Sequence, residues 1–142
     1  MIGRIIERGE SMRLWHVDLI AFLPKGQLLS QWRELNSIFA KEDKHILINY
    51  IYEYPKDDLF IYTEKVIGEM KKRGYQIRAY EKMNKYFEDL GPVQERSPFK
   101  HHHNGEYLDI CFYNLKEKYI RGQKDYEEGL YHQLCMFVNS NH

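Results

Sequence analysis

The sequence predicts an all-α fold, with one compact domain in which three principal helices are joined by extended connectors. Three long stretches repeat apolar residues at spacings of three and four, the pattern of a helix with one buried face. Proline, aspartate or glycine stands where these stretches start or stop. The stretch richest in strand-forming residues has no second stretch to pair with, and 142 residues suit a single domain.

Composition and charge exclude several classes of protein. No apolar run approaches the roughly 18–20 residues that cross a bilayer, and residues 1–11 lack the apolar region of a signal peptide. Cys111 and Cys135 are isolated, which argues against a disulfide framework or a zinc site and favours reduced thiols in the cytoplasm. Basic and acidic residues number 21 each, so nucleic-acid binding would require a local basic patch.

Residues 1–11 are predicted to be a mis-started extension, and residues 12–142 to be the single helical domain. Residues 7–11 read ERGES, which a purine-rich run can encode just before the Met12 codon. A translated bacterial ribosome-binding site has this form, so we hypothesise that Met12 is the natural start. Residues 13–24 are too apolar for a free tail and are predicted to form an extended segment and a helical turn.

Residues 27–39 are predicted to form the first long helix, with two functional faces. Its apolar stripe consists of Leu28, Trp32, Leu35 and Phe39. Gln27 and Glu34 are two turns apart and share another face, and Arg33 stands beside it. The helix would therefore bury one side and present a carboxylate, a guanidinium and an amide on another. Pro24 suits the start of this helix.

The later elements follow from the same signals. Residues 45–55 are predicted to form a buried connector that is extended or partly helical. Residues 56–73 are predicted to form a long helix, with Asp57 and Asp58 at its N-cap and Gly74 after its end. A shorter helix is predicted over residues 79–90 and a loop over 93–104. Residues 105–121 are predicted to form the third long helix, and the tail is apolar enough to add one more.

Several conspicuous residues have a structural interpretation as well as a functional one. The run His101-His102-His103 is predicted to be a solvent-exposed loop, because no cysteine or carboxylate pattern completes a metal site. Buried or half-buried structural histidines are favoured at His16 and His45, although either could join a site or contact phosphate. Core positions are favoured for Cys111, Trp15 and Trp32, although either tryptophan could line a cleft around Glu34. A solvated helix end is favoured for residues 71–73.

An ordered set of short motifs resembles a known family. Residues 12–16 read MRLWH, and they are followed by LP at 23–24, QLL at 27–29 and REL at 33–35. Later blocks read KKRGY at 71–75 and YNLKEK at 113–118. Together they resemble the pyrimidine-dimer DNA glycosylases, the phage endonuclease V type and its bacterial relatives, over about residues 12–118.

The resemblance implies a mostly α-helical DNA repair enzyme that needs no cofactor or metal. Such enzymes cut the glycosidic bond at a pyrimidine dimer in double-stranded DNA and then break the backbone by β-elimination. The nucleophile would be a terminal α-amine, here at Met12 or Arg13. The catalytic carboxylate would be Glu34, and Arg33 and Gln27 would complete the catalytic site. The residues implied to bind DNA are Arg13, His16, Gln27, Arg33 and Lys118. We expect the protein to act as a monomer.

The implied chemistry is coherent for these residue types. An α-amino group has an ordinary pKa of about 8, so it is the amine most easily unprotonated at neutral pH. One carboxylate can supply the acid and the base that imine formation and β-elimination require. A guanidinium donates two fixed hydrogen bonds to phosphate. A dimer is already poorly stacked, so exposing a nucleotide costs less there than in an intact duplex.

The sequence also departs from the phage-type pattern. Arg13 occupies the position aligned with the terminal residue, and Ser37 replaces a second arginine in the first helix. The basic loop after that helix shrinks to residues 40–44, and the tail carries acidic residues at 125, 127 and 128. Two alternatives therefore stay open: a non-catalytic DNA-binding module with the same fold, and a helical protein-interaction domain.

Overall fold

The computed structural model describes residues 13–122 and 126–141. Five α-helices follow one another in this part of the chain: α1 Lys25–Ala40, α2 Lys56–Lys72, α3 Glu81–Tyr86, α4 Gly105–Ile120 and α5 Glu128–Ser140. Two 3₁₀ turns, Val17–Phe22 and Asn49–Glu53, complete the described elements, which include no strand. The all-α prediction is confirmed. The predicted extension and Met12 lie outside the described residues.

Helix α1 confirms the first predicted helix and extends it by two residues at its start. Pro24 is its N-cap residue, as the sequence indicated. Leu28 and Leu35 are fully buried, and the stripe that contains them packs against α2 and α3. The exposed face of α1 carries Arg33 and Ser37.

Helix α2 ends in a Schellman motif. The Tyr75 N–H donates to the Met70 carbonyl and the Gly74 N–H to the Lys71 carbonyl, both at 2.9 Å. Gly74 has a φ of 90°, a left-handed conformation that favours glycine. The predicted end of this helix is confirmed, with Gly74 in the C′ position.

The predicted N-cap of α2 is wrong. Pro55 is the N-cap residue, and no side chain caps the helix. The Asp58 carboxylate is buried and accepts the Phe99 N–H at 2.8 Å, while the Arg96 guanidinium forms an ion pair with it. Arg96 and Phe99 both belong to the loop before α4, so Asp58 ties that loop to α2 rather than capping the helix.

The prediction of an exposed histidine run is wrong for one of its three members. His101 is exposed and His102 half-buried, but His103 is only 8% exposed. The reason is an aromatic cluster that sequence spacing does not reveal. Phe99 is fully buried with a φ of 54°, and it turns the chain so that His103 packs against Phe99, Tyr50 and Tyr107.

The remaining predicted elements are present, with shifted ends. Helix α3 is shorter than predicted. The connector over residues 45–55 is partly helical and only partly buried, because Ile48 and Ile51 are in the core whereas Ile46 is 82% exposed. Asn104 caps α4 by accepting the Tyr107 N–H at 2.9 Å, and Gly122 follows the helix with a φ of 84°. Helix α5 packs against α4 and the first 3₁₀ turn. In the described part of the chain, no helix has the length and apolarity that crossing a bilayer requires.

Candidate active site on the first long helix

The extended segment 13–17 is bound to α1 through one buried side chain. Gln31 is 1% exposed, and its Nε2 donates to the Arg13 carbonyl at 3.0 Å. Its Oε1 accepts the Trp15 N–H at 2.8 Å. The Tyr62 hydroxyl of α2 lies 2.7 Å from both this Oε1 and the Trp15 carbonyl, so it reinforces the same junction. Gln31 thus bonds the backbone of segment 13–17 at two points.

Side chains from the other side of the core bind the same segment. The Tyr107 hydroxyl donates to the Leu14 carbonyl at 2.6 Å. The His16 N–H lies 3.4 Å from Cys111 Sγ, and the Val17 N–H donates to His103 Nδ1 at 3.0 Å. The extended segment therefore has buried backbone partners without belonging to a sheet. Side chains from α1, α2, α4 and the histidine loop fix its position.

The hydrogen bonds of His103 fix its imidazole ring in a single tautomer. Its Nδ1 must accept, because a backbone N–H can only donate, so the neutral ring carries its proton on Nε2. That Nε2 lies 2.6 Å from the Tyr50 hydroxyl, which in turn bonds to Tyr107. Burial lowers the pKa of His103 to about 2, and the nearby His16 and His102 act in the same direction. The ring therefore stays neutral at physiological pH.

His16 is a buried histidine, as the sequence favoured. It is 4% exposed, and its Nδ1 accepts the Asp18 N–H at 3.0 Å. Burial lowers the pKa of His16, which opposes the charge that a phosphate contact would use. Cys111 is fully buried and Trp15 nearly so, which confirms the core positions predicted for them. A DNA contact by His16 stays a prediction.

Glu34 lies one turn beyond Gln31 on the same face of α1. Gln27, Gln31 and Glu34 are spaced by four and three residues, so they form one polar stripe. Glu34 is only 9% exposed, and Gln27 is half-buried. Burial raises the pKa of Tyr52 to about 12, and the charges of Glu42, Asp43 and, least of the three, Glu34 act in the same direction. The Glu34 side chain is therefore largely covered by the fold.

Arg33 projects from the neighbouring face of α1. Its guanidinium is exposed and donates to Ser30 Oγ at 2.9 Å. An open cleft with a volume of about 290 Å³ lies beside it, between α1 and the start of α3. The cleft is lined by Trp32, Arg33, Asn36, Ser37, Ala79, Glu81 and Lys82. It combines an aromatic ring with cationic and amide groups, a composition suited to a nucleotide.

A model of the pyrimidine dimer DNA glycosylase family matches residues 12–83, half of the chain. The chain belongs to this family. It is thereby a member of a family of DNA repair glycosylases, and its substrate class is DNA. Neither the curated proteins nor the solved structures gave a match to the chain.

The region that matches the pyrimidine dimer DNA glycosylases contains the polar stripe of α1. It covers segment 13–17, all of α1 and α2, and the first half of α3. Glu34, Arg33 and Gln27 therefore lie inside the matched region. Lys118 lies outside it, which separates the predicted site residues into two groups.

The structure brings Arg13 close to α1 but leaves Lys118 farther away. Arg13 is half-buried, and its guanidinium lies 5.8 Å from the centre of the Tyr107 ring. Lys118 is eleven residues beyond Tyr107 on α4, which is roughly 16 Å along the helix axis. Gln27, Arg33 and Glu34 lie on α1 itself. The Arg13 carbonyl is bonded to α1 through Gln31, whereas the Arg13 guanidinium lies over Tyr107 of α4. A role for Lys118 would require a DNA duplex that extends along α4.

The sequence did not single out Gln31, the residue that links the segment to α1. The sequence does contain a signal for Gln31, because this residue lies midway between Gln27 and Glu34 in the polar stripe. A glutamine on a helix is usually exposed, however, and only the fold reveals that segment 13–17 covers it. Within the described residues, no group of three histidine, cysteine or acidic side chains could hold a metal ion.

Proposed function

We propose that this chain is a DNA glycosylase with AP-lyase activity, which acts on pyrimidine dimers or related base damage through an imine. One observation carries the proposal. Gln31 binds the backbone of Arg13 and Trp15, one helical turn before the largely buried Glu34. A carboxylate and the start of the folded domain are thereby held on the same face of α1, as an amine-based mechanism requires.

The proposed nucleophile is the α-amino group at Met12 or Arg13. Covalent geometry keeps an amine on the residue before Arg13 within about 4 Å of it, measured between Cα atoms. Glu34 lies three residues beyond Gln31, a rise of about 4.5 Å along the helix. Gln31 thus links the residue next to the proposed amine to the helix that carries Glu34. The proposal takes residues 12–142 as the functional domain, with Met12 as its natural start.

In the proposed reaction, the neutral amine attacks C1′ of the damaged nucleotide. The glycosidic bond breaks, the base leaves with the bonding electrons, and the leaving base takes up a proton. Opening of the sugar ring then gives a protonated imine between the amine and C1′. Removal of a C2′ proton drives cleavage of the C3′–O bond, with the phosphate as leaving group. Glu34 is the group proposed to shuttle these protons and to stabilise the cationic intermediate.

The other predicted residues are proposed to bind damaged double-stranded DNA. Arg33 is exposed beside an aromatic cleft, so its guanidinium can reach a phosphate next to the lesion. Gln27 continues the polar stripe and can donate to the sugar or the base. Arg13 would contact the strand near the nucleophile, and Lys118 the backbone farther along. We propose that the enzyme acts as a monomer in the cytoplasm.

Borohydride trapping tests the catalytic proposal directly. Borohydride reduces a protein–DNA imine to a stable adduct, so the protein should become covalently linked to duplex DNA with an abasic site or a pyrimidine dimer. We expect Glu34→Gln to lower the rate of adduct formation by about a hundredfold or more, because one acid–base group contributes that much. Glu64→Gln, an exposed substitution on α2, should leave the rate unchanged.

The preparation for this test is protein expressed from its natural upstream DNA, with its N-terminus sequenced. An adduct on the terminal residue supports the proposed nucleophile, whereas an adduct on a lysine contradicts it. Salt-dependent DNA binding without any adduct would instead support the non-catalytic DNA-binding module. Absence of both adduct and DNA binding would favour a protein-interaction domain.

A further inference from the structure

We infer that Gln31 is a positioning residue, which sets the place of the reactive amine relative to Glu34; this inference rests on the proposed function. Gln31 does not face the substrate, since it is 1% exposed and both ends of its amide are occupied. Its Nε2 bonds the carbonyl of Arg13, next to the proposed nucleophile. Its backbone belongs to α1, the helix that carries Glu34.

The two ends of the Gln31 amide have different hydrogen-bond partners. Oε1 is shared by the Trp15 N–H and the Tyr62 hydroxyl, so this end joins segment 13–17 to both α1 and α2. Nε2 has the Arg13 carbonyl as its partner, and it fixes the direction in which the chain continues toward the amine. A displacement of about 1 Å at a reacting group can lower a rate roughly a hundredfold. Loss of the Nε2 contact should therefore affect the chemical step rather than DNA binding.

Tyr62 provides a matched control for this position. It bonds the same junction, through the Trp15 carbonyl and Gln31 Oε1, but it has no described bond to Arg13. Tyr62→Phe therefore removes a buried hydrogen bond next to Gln31 while leaving the Nε2 contact in place. Gln31→Glu is the complementary change, because a carboxylate can still accept from Trp15 and Tyr62 but cannot donate to the Arg13 carbonyl.

The experiment measures borohydride trapping on duplex DNA with an abasic site, together with the DNA dissociation constant and the thermal midpoint of each protein. We expect Gln31→Met and Gln31→Glu to lower the trapping rate at saturating DNA by tenfold to a hundredfold. The DNA dissociation constants of the two Gln31 variants should change by less than about threefold. The trapping rate of Tyr62→Phe should stay within about threefold of the rate of the unaltered protein. If Gln31→Met does not fold, Gln31→Glu decides the question.

The outcomes separate this inference from the proposed function. If the unaltered protein traps DNA and the folded Gln31 variants trap it equally fast, the positioning role is refuted and the proposed function stands. A parallel loss in Tyr62→Phe would also refute it, because the effect would then follow the stability of the junction. If the unaltered protein forms no adduct, the proposed function and the inference fall together.

Discussion

His103 is a buried hydrogen-bond acceptor whose role depends on its charge. A protonated imidazole could no longer accept the Val17 N–H, and it would place a charge among Phe99, Tyr50 and Tyr107. The folded protein therefore resists protonation at this ring, and burial holds the pKa of His103 at about 2, against an ordinary value of 6.5. The hydrogen bond between His103 and Val17 of segment 13–17 therefore depends on pH.

We expect His103 to make the free energy of unfolding fall as the pH is lowered. Below about pH 6.5, His103 becomes protonated in the unfolded chain, whereas in the folded chain it stays neutral down to about pH 2. The contribution of the neutral ring to the free energy of unfolding is therefore complete above pH 6.5. Between pH 6.5 and about pH 2 it declines by up to about 1.4 kcal/mol per pH unit. The lowered pKa values of His16 and His102 act in the same direction.

Urea unfolding at pH 7, 6, 5 and 4 measures this effect. His103→Gln keeps an acceptor and a donor but cannot titrate, so its free energy of unfolding should depend less steeply on pH. His101→Gln changes an exposed ring in the same loop and should retain the original slope. Equal slopes for His103→Gln and the unaltered protein would show that His103 does not cause the acid sensitivity.

At the scale of single elements, helices were more predictable than the loops between them. The stripe of α1 and the glycine after α2 are local signals, because each depends only on residues within a turn or two. Asp58 and His103 were misjudged because their partners lie 38–41 and 53–86 residues away. Gln31 was overlooked for the same reason, since its burial depends on a segment that precedes α1.

The end of α2 offers a test in which two glycine substitutions should have opposite signs. Gly74 has a φ of 90°, so Gly74→Ala forces an alanine into a left-handed conformation and should lower the free energy of unfolding by about 1 kcal/mol. Gly68 lies within α2, and a Cβ there would meet open space. Gly68→Ala should raise the free energy of unfolding by about 0.5–1 kcal/mol.

Chemical denaturation of both variants, measured against the unaltered protein, gives the two signs. A gain in stability from Gly74→Ala would contradict the left-handed end of α2. The helical content should stay constant in both variants, because neither change removes a turn of the helix.

At the scale of the whole molecule, the absence of net charge limits how DNA can be bound. Basic and acidic residues are equal in number, so there is no overall attraction to a polyanion. Binding must instead come from a few local cations, of which Arg33 is exposed beside its cleft on the helix that carries Glu34. The affinity for DNA should therefore depend on salt, but through a small number of phosphate contacts.

We expect Arg33→Gln to weaken binding to undamaged duplex DNA uniformly across sequences. A plot of log affinity against log salt concentration should lose about one unit of slope, because one phosphate contact is removed. Lys65→Gln is the control, since Lys65 is also exposed but pairs with Glu95 and belongs to none of the proposed DNA contacts. Fluorescence anisotropy over a salt series measures both, and an unchanged slope for Arg33→Gln would exclude a phosphate contact.

Segment 13–17 also has a consequence for the order of folding. Its backbone bonds join residues that are 16, 47, 86, 93 and 95 positions apart in the chain. Contacts of such long range form late, because the loops that they close must first be organised by local structure. The start of the domain would thus settle only after α4 has docked. Under the proposed mechanism, a chain whose helices had formed but whose α4 had not docked would therefore remain catalytically inactive.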